Sequence, residues 1–127
     1  MFSAAAQGVV TAFARGAAVT PGPPGVLAIP GLSESAQRRL IQVLRAQPGL
    51  QAVWLFGSRA MGCHQQGSDI DLCLEAPQLS HRDRLRLMAA VDDLLLPWRV
   101  DLALRHELPA DLEAHVQRVG RCLWRQA

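Results

Sequence analysis

The 127-residue chain has no lysine and no tyrosine, only three cysteines, and no run of uncharged apolar residues as long as a membrane-crossing helix needs, about 18 or more. A transmembrane helix is therefore not expected. Cys63, Cys73 and Cys122 are odd in number and form no C-x-x-C pair, which argues against a disulfide framework and for reduced thiols in a cytoplasm. The Cys63-His64 pair lacks partner ligands at zinc-finger spacing. All thirteen basic residues are arginine, and against eleven acids they leave a net charge of +2. That is too small to argue for direct nucleic-acid binding. The missing lysines, beside abundant alanine, point to GC-rich coding more than to chemistry. A signal peptide wants a basic start and an unbroken apolar centre, but Arg15 sits where that centre should be.

Half the residues are apolar, enough for one domain with a single modest core. Residues 1–30 read as a flexible or weakly helical extension closed by Pro21 to Pro24, and an overlong start site would give the same pattern. From Ser33 to Gln47 the sequence predicts a helix. Ser33 can cap it, Ala36, Leu40, Val43, Leu44 and Gln47 share a face, and Pro48-Gly49 ends it. A second helix begins at a capping box, Ser80-His81-Arg82-Asp83, and carries an apolar stripe of Leu85, Met88, Val91 and Leu95 until Pro97. Arg82, Arg84 and Arg86 on it read as a solvated face. Pro109 to Val119 predicts a third helix stopped by Gly120, with Cys122 to Trp124 as an edge strand. Trp98 and Trp124 fit either core or interface.

The chemistry concentrates between Trp54 and Glu75. Ala52 to Phe56 (AVWLF) predicts a strand that stops at Gly57-Ser58, where the chain must turn. Such a turn offers backbone N–H groups to an anion, and Gly57 has no side chain to keep a phosphate away. Asp69-Ile70-Asp71-Leu72 alternates acid and apolar, so a strand there sends both carboxylates to one face. Same-face Cα atoms lie about 6.5–7 Å apart, close enough for the carboxylate tips to converge on one or two divalent ions. Without cations, two such charges about 4 Å apart repel by roughly 4 kcal/mol at an effective dielectric near 20. Oxygen ligands without histidine or cysteine at ligand spacing favour Mg²⁺ or Mn²⁺ over zinc. Arg99 to Leu104 (RVDLAL) predicts a third strand, and Asp101 breaks its apolar character. Beside Asp69 to Leu74 it would complete a three-carboxylate site; otherwise it would pair with Arg99 or Arg105. Arg59 could contact a phosphate or pair with a site aspartate. Ser68 fits a turn into the second strand.

The order G-S, ten residues, D-x-D, and a third Asp on a later strand resembles the minimal nucleotidyltransferases of the DNA polymerase β superfamily. The resemblance covers Gly31 to Trp124, and LPWRVDL at Leu96 to Leu102 is similar to the third-carboxylate strand of the small bacterial members that pair with a HEPN-type helical protein. It implies an α/β nucleotidyltransferase fold, with a short mixed β-sheet, helices mainly on one face and an open face lined by carboxylates. The implied reaction moves AMP from ATP to a hydroxyl, with two Mg²⁺ ions (or Mn²⁺) held by Asp69, Asp71 and Asp101. Gly57 and Ser58 would cradle the triphosphate tail, and Arg59 and Ser68 would be candidate nucleotide contacts. The motif-bearing stretch is too short to hold an acceptor-binding domain of its own, so the acceptor is expected in trans. A HEPN toxin silenced by AMPylation, or a substrate-binding subunit, would make a hetero-oligomer and a toxin–antitoxin system. The absence of tyrosine excludes tyrosine self-modification. A small-molecule nucleotidyltransferase of the aminoglycoside-modifying sort, and a non-catalytic antitoxin acting by contact, are the alternatives.

Overall fold

In the computed structural model, which describes residues 27–126, Ser33 starts the first helix as its cap. Its backbone is extended (φ −69°, ψ 155°) and its hydroxyl accepts the Ala36 N–H at 3.1 Å, opening α1, Glu34–Arg45. The helix buries Ala36, Leu40, Ile41 and Leu44, and also Gln37. A buried amide needs partners, and Gln37 finds them in the segment before the helix. Its Oε1 accepts the Ile29 N–H at 2.6 Å and its Nε2 donates to the Leu27 carbonyl. Ile29 is itself a core residue. The packed unit therefore includes residues 27–30, on the extension side of the boundary expected at Gly31; the rest of that extension lies outside the described residues.

Strand β1, Ala52–Phe56, pairs antiparallel with β2, Ile70–Glu75, from Ala52↔Glu75 to Phe56↔Asp71. Strand β3, Val100–Leu104, lies parallel to β2, and β4, Arg121–Arg125, lies antiparallel on the other side of β1. The sheet order is β3-β2-β1-β4, a mixed sheet as expected. Alternation along the strands sends Val53, Leu55, Leu72, Leu74, Leu102, Leu104 and Leu123 to one core. There they meet α1 and a second long helix, α3, His81–Asp92. At ~1.5–3 kcal/mol per fully buried branched aliphatic side chain, this layer dominates the stability. Trp54, Phe56 and Cys73 face the opposite way, under a helix formed by Ala110–Val119, α4, which covers them with Leu112, Val116 and Val119. Helices α1 and α3 thus share one face, while α4 shields part of the other. No helix among the described residues is long and apolar enough to cross a membrane.

The capping box at α3 forms in both directions: the Asp83 N–H donates to Ser80 Oγ at 3.1 Å and the Ser80 N–H to Asp83 Oδ2 at 3.0 Å. The buried stripe differs from the expected one. Leu87 and Val91 are buried, while Leu85 is exposed and Leu95 is 87% exposed. The helix ends at Asp92, well before Pro97, and the chain turns over with Leu95 in the left-handed region at φ 54°. Nor is Arg84 solvated as expected. It is half-buried, and its Nη1 donates to the Leu102 carbonyl of the edge strand at 2.9 Å.

Candidate active site

The carboxylates sit where β2 and β3 begin and β1 ends. Parallel register sets Asp71 beside Asp101, on strands ~4.8 Å apart, and antiparallel register sets Asp71 across from Phe56, the residue before Gly57. Asp69 lies just ahead of β2, two residues from Asp71, and is exposed, while Asp71 and Asp101 are half-buried. Arg99 Nε lies 3.4 Å from Asp101 Oδ1, an ion pair whose arginine side chain is mostly in solvent and which contributes little stability. The Asp71 carboxyl is held above its ordinary value, first by burial and then by the charges of Asp101 and Asp69, with His115 opposing them. The three acids therefore share one field, felt most by the central Asp71.

Among the described residues, no three Asp, Glu, His or Cys side chains stand close enough together to form a metal's ligand set. Arg99 instead lies against Asp101. The donor chemistry itself fits a hard divalent ion: carboxylate oxygens, partly desolvated and mutually repelling. The neighbouring thiol offers no competing nucleophile, since burial pushes Cys73 up to about 12.

The turn after β1 is tighter than a simple loop. Gly57 opens a short helix, α2, Gly57–Met61, with φ 76°, a conformation that costs an L-residue about 1–2 kcal/mol. A Cβ on Gly57 would also collide with Asp71 Oδ2. Gly57→Ala is accordingly expected to lower stability by roughly 2 kcal/mol and to displace the Asp71 carboxylate. Thermal melting measures the first effect, and turnover per folded molecule, expected to fall at least tenfold, measures the second. Unchanged turnover would mean that the approach of Gly57 to Asp71 is incidental.

Ser58 is half-buried on α2, next to that approach. Ser68 fixes the turn before β2: its Oγ accepts the Gln65 N–H at 2.8 Å and its own N–H donates to the Gln65 carbonyl at 3.0 Å. Arg59 turns away from the aspartates. It is 1% exposed and its guanidinium donates to the backbone carbonyls of Pro30 (2.6 Å), Ser68 (2.8 Å) and Gln66 (3.5 Å), not to an aspartate. Five fixed donors among backbone carbonyls hold a loop in place.

One site residue went unread in the sequence. His115, on α4, sets its ring edge-on to Phe56, with centroids 6.1 Å apart, and its Nε2 accepts the Gly57 N–H at 3.4 Å. Helix α4 is held there by Arg105, in the turn after β3, whose Nε and Nη2 clamp Glu113 at 3.0 and 2.8 Å. A histidine between Leu112 and Val116 was the available signal, but only the crossing of α4 over β1 gives it meaning.

Comparison with known proteins follows the same lines. The family described as "Polymerase beta, Nucleotidyltransferase" matches residues 38–127. Over 51 residues the chain is 45% identical to a Haemophilus influenzae protein named "Probable protein adenylyltransferase MntA", a match spanning 39% of this chain and 45% of that protein. The chain thus spans under half the length of that curated relative. Among solved structures, it resembles a chain of a toxin–antitoxin crystal structure with AMP-PNP, at 30% identity and a TM-score of 0.62, covering 71% of this chain and 73% of the other. It also resembles a chain from a structure of tri-AMPylated Shewanella oneidensis HEPN toxin in complex with MNT antitoxin, at 27% identity and a TM-score of 0.58, covering 73% and 72%.

Proposed function

The chain belongs to the polymerase β nucleotidyltransferase family, and on that footing we propose that it transfers AMP from ATP to a hydroxyl of a HEPN-type partner protein, silencing it as an antitoxin would. The observation that carries this reading is the pairing of Asp71 with Asp101 in parallel register, at the same end of the sheet as Gly57. The relatives' association with AMP-PNP, with an AMPylated toxin and with protein adenylylation supports the donor and the acceptor class.

In the proposed reaction the acceptor oxygen forms a bond to the α-phosphorus as the bond to the bridging oxygen breaks, and pyrophosphate leaves. Asp69, Asp71 and Asp101 would hold Mg²⁺, which when bound offsets charge on the entering and leaving oxygens. Gly57, whose backbone N–H now reaches His115 Nε2, would present that N–H to the triphosphate tail. Asp101 lies on the outer strand of the carboxylate row, where it can accept the hydrogen bond of the incoming hydroxyl and draw its proton off. Phe56, Cys73 and α4 wall the inner side and keep water from one flank. The chain has no tyrosine, so a phenolic acceptor must come from the partner.

The test is intact mass of a HEPN partner encoded beside this gene, after incubation with ATP and Mg²⁺. One or more added AMP units are expected, and only with the enzyme present. No mass gain, together with toxicity still suppressed by a chain lacking Asp69 and Asp71, would replace catalysis by simple contact. AMP appearing on an aminoglycoside but never on protein would shift the acceptor to a small molecule.

A further inference from the structure

The Gly57 N–H does not wait empty for a phosphate: His115 is already on it. From that contact we propose that His115 is a binding residue for the β,γ-phosphates of the nucleotide, forming the α4 wall of the tail site; the inference rests on the nucleotidyltransferase reading above. The bond from Gly57 N–H to Nε2 is 3.4 Å, well beyond the usual distance of about 2.9–3.0 Å. The Gly57 N–H can exchange so long a contact for a shorter, charge-assisted bond to a phosphate oxygen, and the ring, no longer accepting from Gly57, can then donate from Nε2–H in its other tautomer to the same phosphate. His115 is half-buried and held by the T-shaped contact with Phe56 and by the backbone of α4, whose Val116 is packed in the core below the helix. Its ring can therefore turn about its own bonds but cannot leave the site.

The direction of the tail follows from the row of groups. The α-phosphorus belongs with Asp71 and Asp101, where the acceptor must attack. Gly57 lies against Asp71 on the β1 side, so phosphates beyond the α position run toward Gly57 and His115. A ring nitrogen there meets the part of ATP that AMP lacks. The Arg105–Glu113 clamp fixes α4 two residues before His115 and so holds the helix that carries the ring over this end of the sheet.

The experiment is equilibrium binding of Mg²⁺·ATP and of AMP to the full chain, for the wild type, His115→Ala and His115→Gln. His115→Ala is expected to weaken ATP about tenfold and to leave AMP within twofold. His115→Gln, whose amide can both accept from Gly57 and donate to phosphate, is expected to recover most of the loss. Equal weakening of ATP and AMP would make His115 a packing residue and overturn the inference, as would an alanine variant that binds ATP like the wild type. If the wild type binds neither nucleotide, the transferase reading fails first.

Discussion

Asp71→Asn is expected to abolish AMP transfer while making the metal-free protein no less stable than the wild type. Asp71 stands at the centre of the carboxylate row, beside Asp101 in register and against Gly57. An amide in its place keeps the shape but removes the charge that would hold a divalent ion. Metal stabilisation of a transferring phosphoryl group amounts to several kcal/mol, and each 1.36 kcal/mol is tenfold in rate, so turnover should fall by about 10³ or more. The readout is AMP added to the partner per unit time. Transfer within tenfold of wild type would remove Asp71 from the chemistry.

The stability half of this prediction has a definite sign. Burial and the charges of Asp101 and Asp69 raise the Asp71 carboxyl above its ordinary 3.8 in the folded chain. Between 3.8 and that raised value the folded state binds more protons than the unfolded state, so metal-free stability falls as pH rises through the window. Above the window the full repulsion is present, and a divalent ion held there would relieve it. Melting in EDTA across pH 3 to 8 should therefore show the wild type losing stability relative to Asp71→Asn as pH rises, whatever the lowered Asp83 and Glu113 carboxyls contribute to both, and added Mg²⁺ should raise the melting point of the wild type more than that of the variant. A variant that melts lower than the wild type in EDTA at neutral pH would mean the carboxylate is stabilised by contacts rather than burdened by its neighbours.

What could be read before folding was whatever local chemistry decides. AVWLF and IDLCLE announce strands because their apolar and branched residues fit nothing else of that length, and Ser80 with Asp83 announces a helix start because two orphan N–H groups need just such partners. The alignment of Asp101 with Asp71 was conditional on β3 lying beside β2, which parallel pairing provides. The α3 stripe was not decidable. Met88 and Val91 belong to two helical stripes, one with Leu85 and one with Leu87, and only packing against α1 and β3 selects the second. Arg84 follows that choice, since it lies one turn before Leu87 and so reaches the β3 edge. Arg59 and His115 failed for a related reason. Arginine next to a glycine-serine turn suggests a phosphate, but its role depends on where Pro30 and Ser68 come to lie, twenty-nine and nine residues away. His115 is fifty-eight residues from Gly57, and no local pattern bridges that.

Arg59→Ala is the substitution expected to cost most stability. The guanidinium ties the Pro30 carbonyl, in the segment leading into α1, to the Gln66 and Ser68 carbonyls of the loop leading into β2, and its plane lies 5.8 Å from the Trp98 ring centroid. Alanine would leave three carbonyls without their donor and a void beside Gly31 and Trp98. Hydrogen bonds to a charged donor contribute ~1.5–3 kcal/mol each and are not additive, so a loss of about 3–4 kcal/mol is expected. For a domain of this size that lowers the melting temperature by roughly 12–30 °C. Lysine should not rescue it, because one ammonium cannot serve carbonyls on two segments at once. The effect on chemistry is indirect: Ser68 precedes Asp69, so a loosened loop lets that carboxylate drift, and turnover per folded molecule should fall while the KM for ATP stays within about twofold. The opposite pattern, an unchanged melting temperature with a KM for ATP raised tenfold, would return Arg59 to the nucleotide phosphates and leave the loop to be held by Ser68 and Gln65 alone.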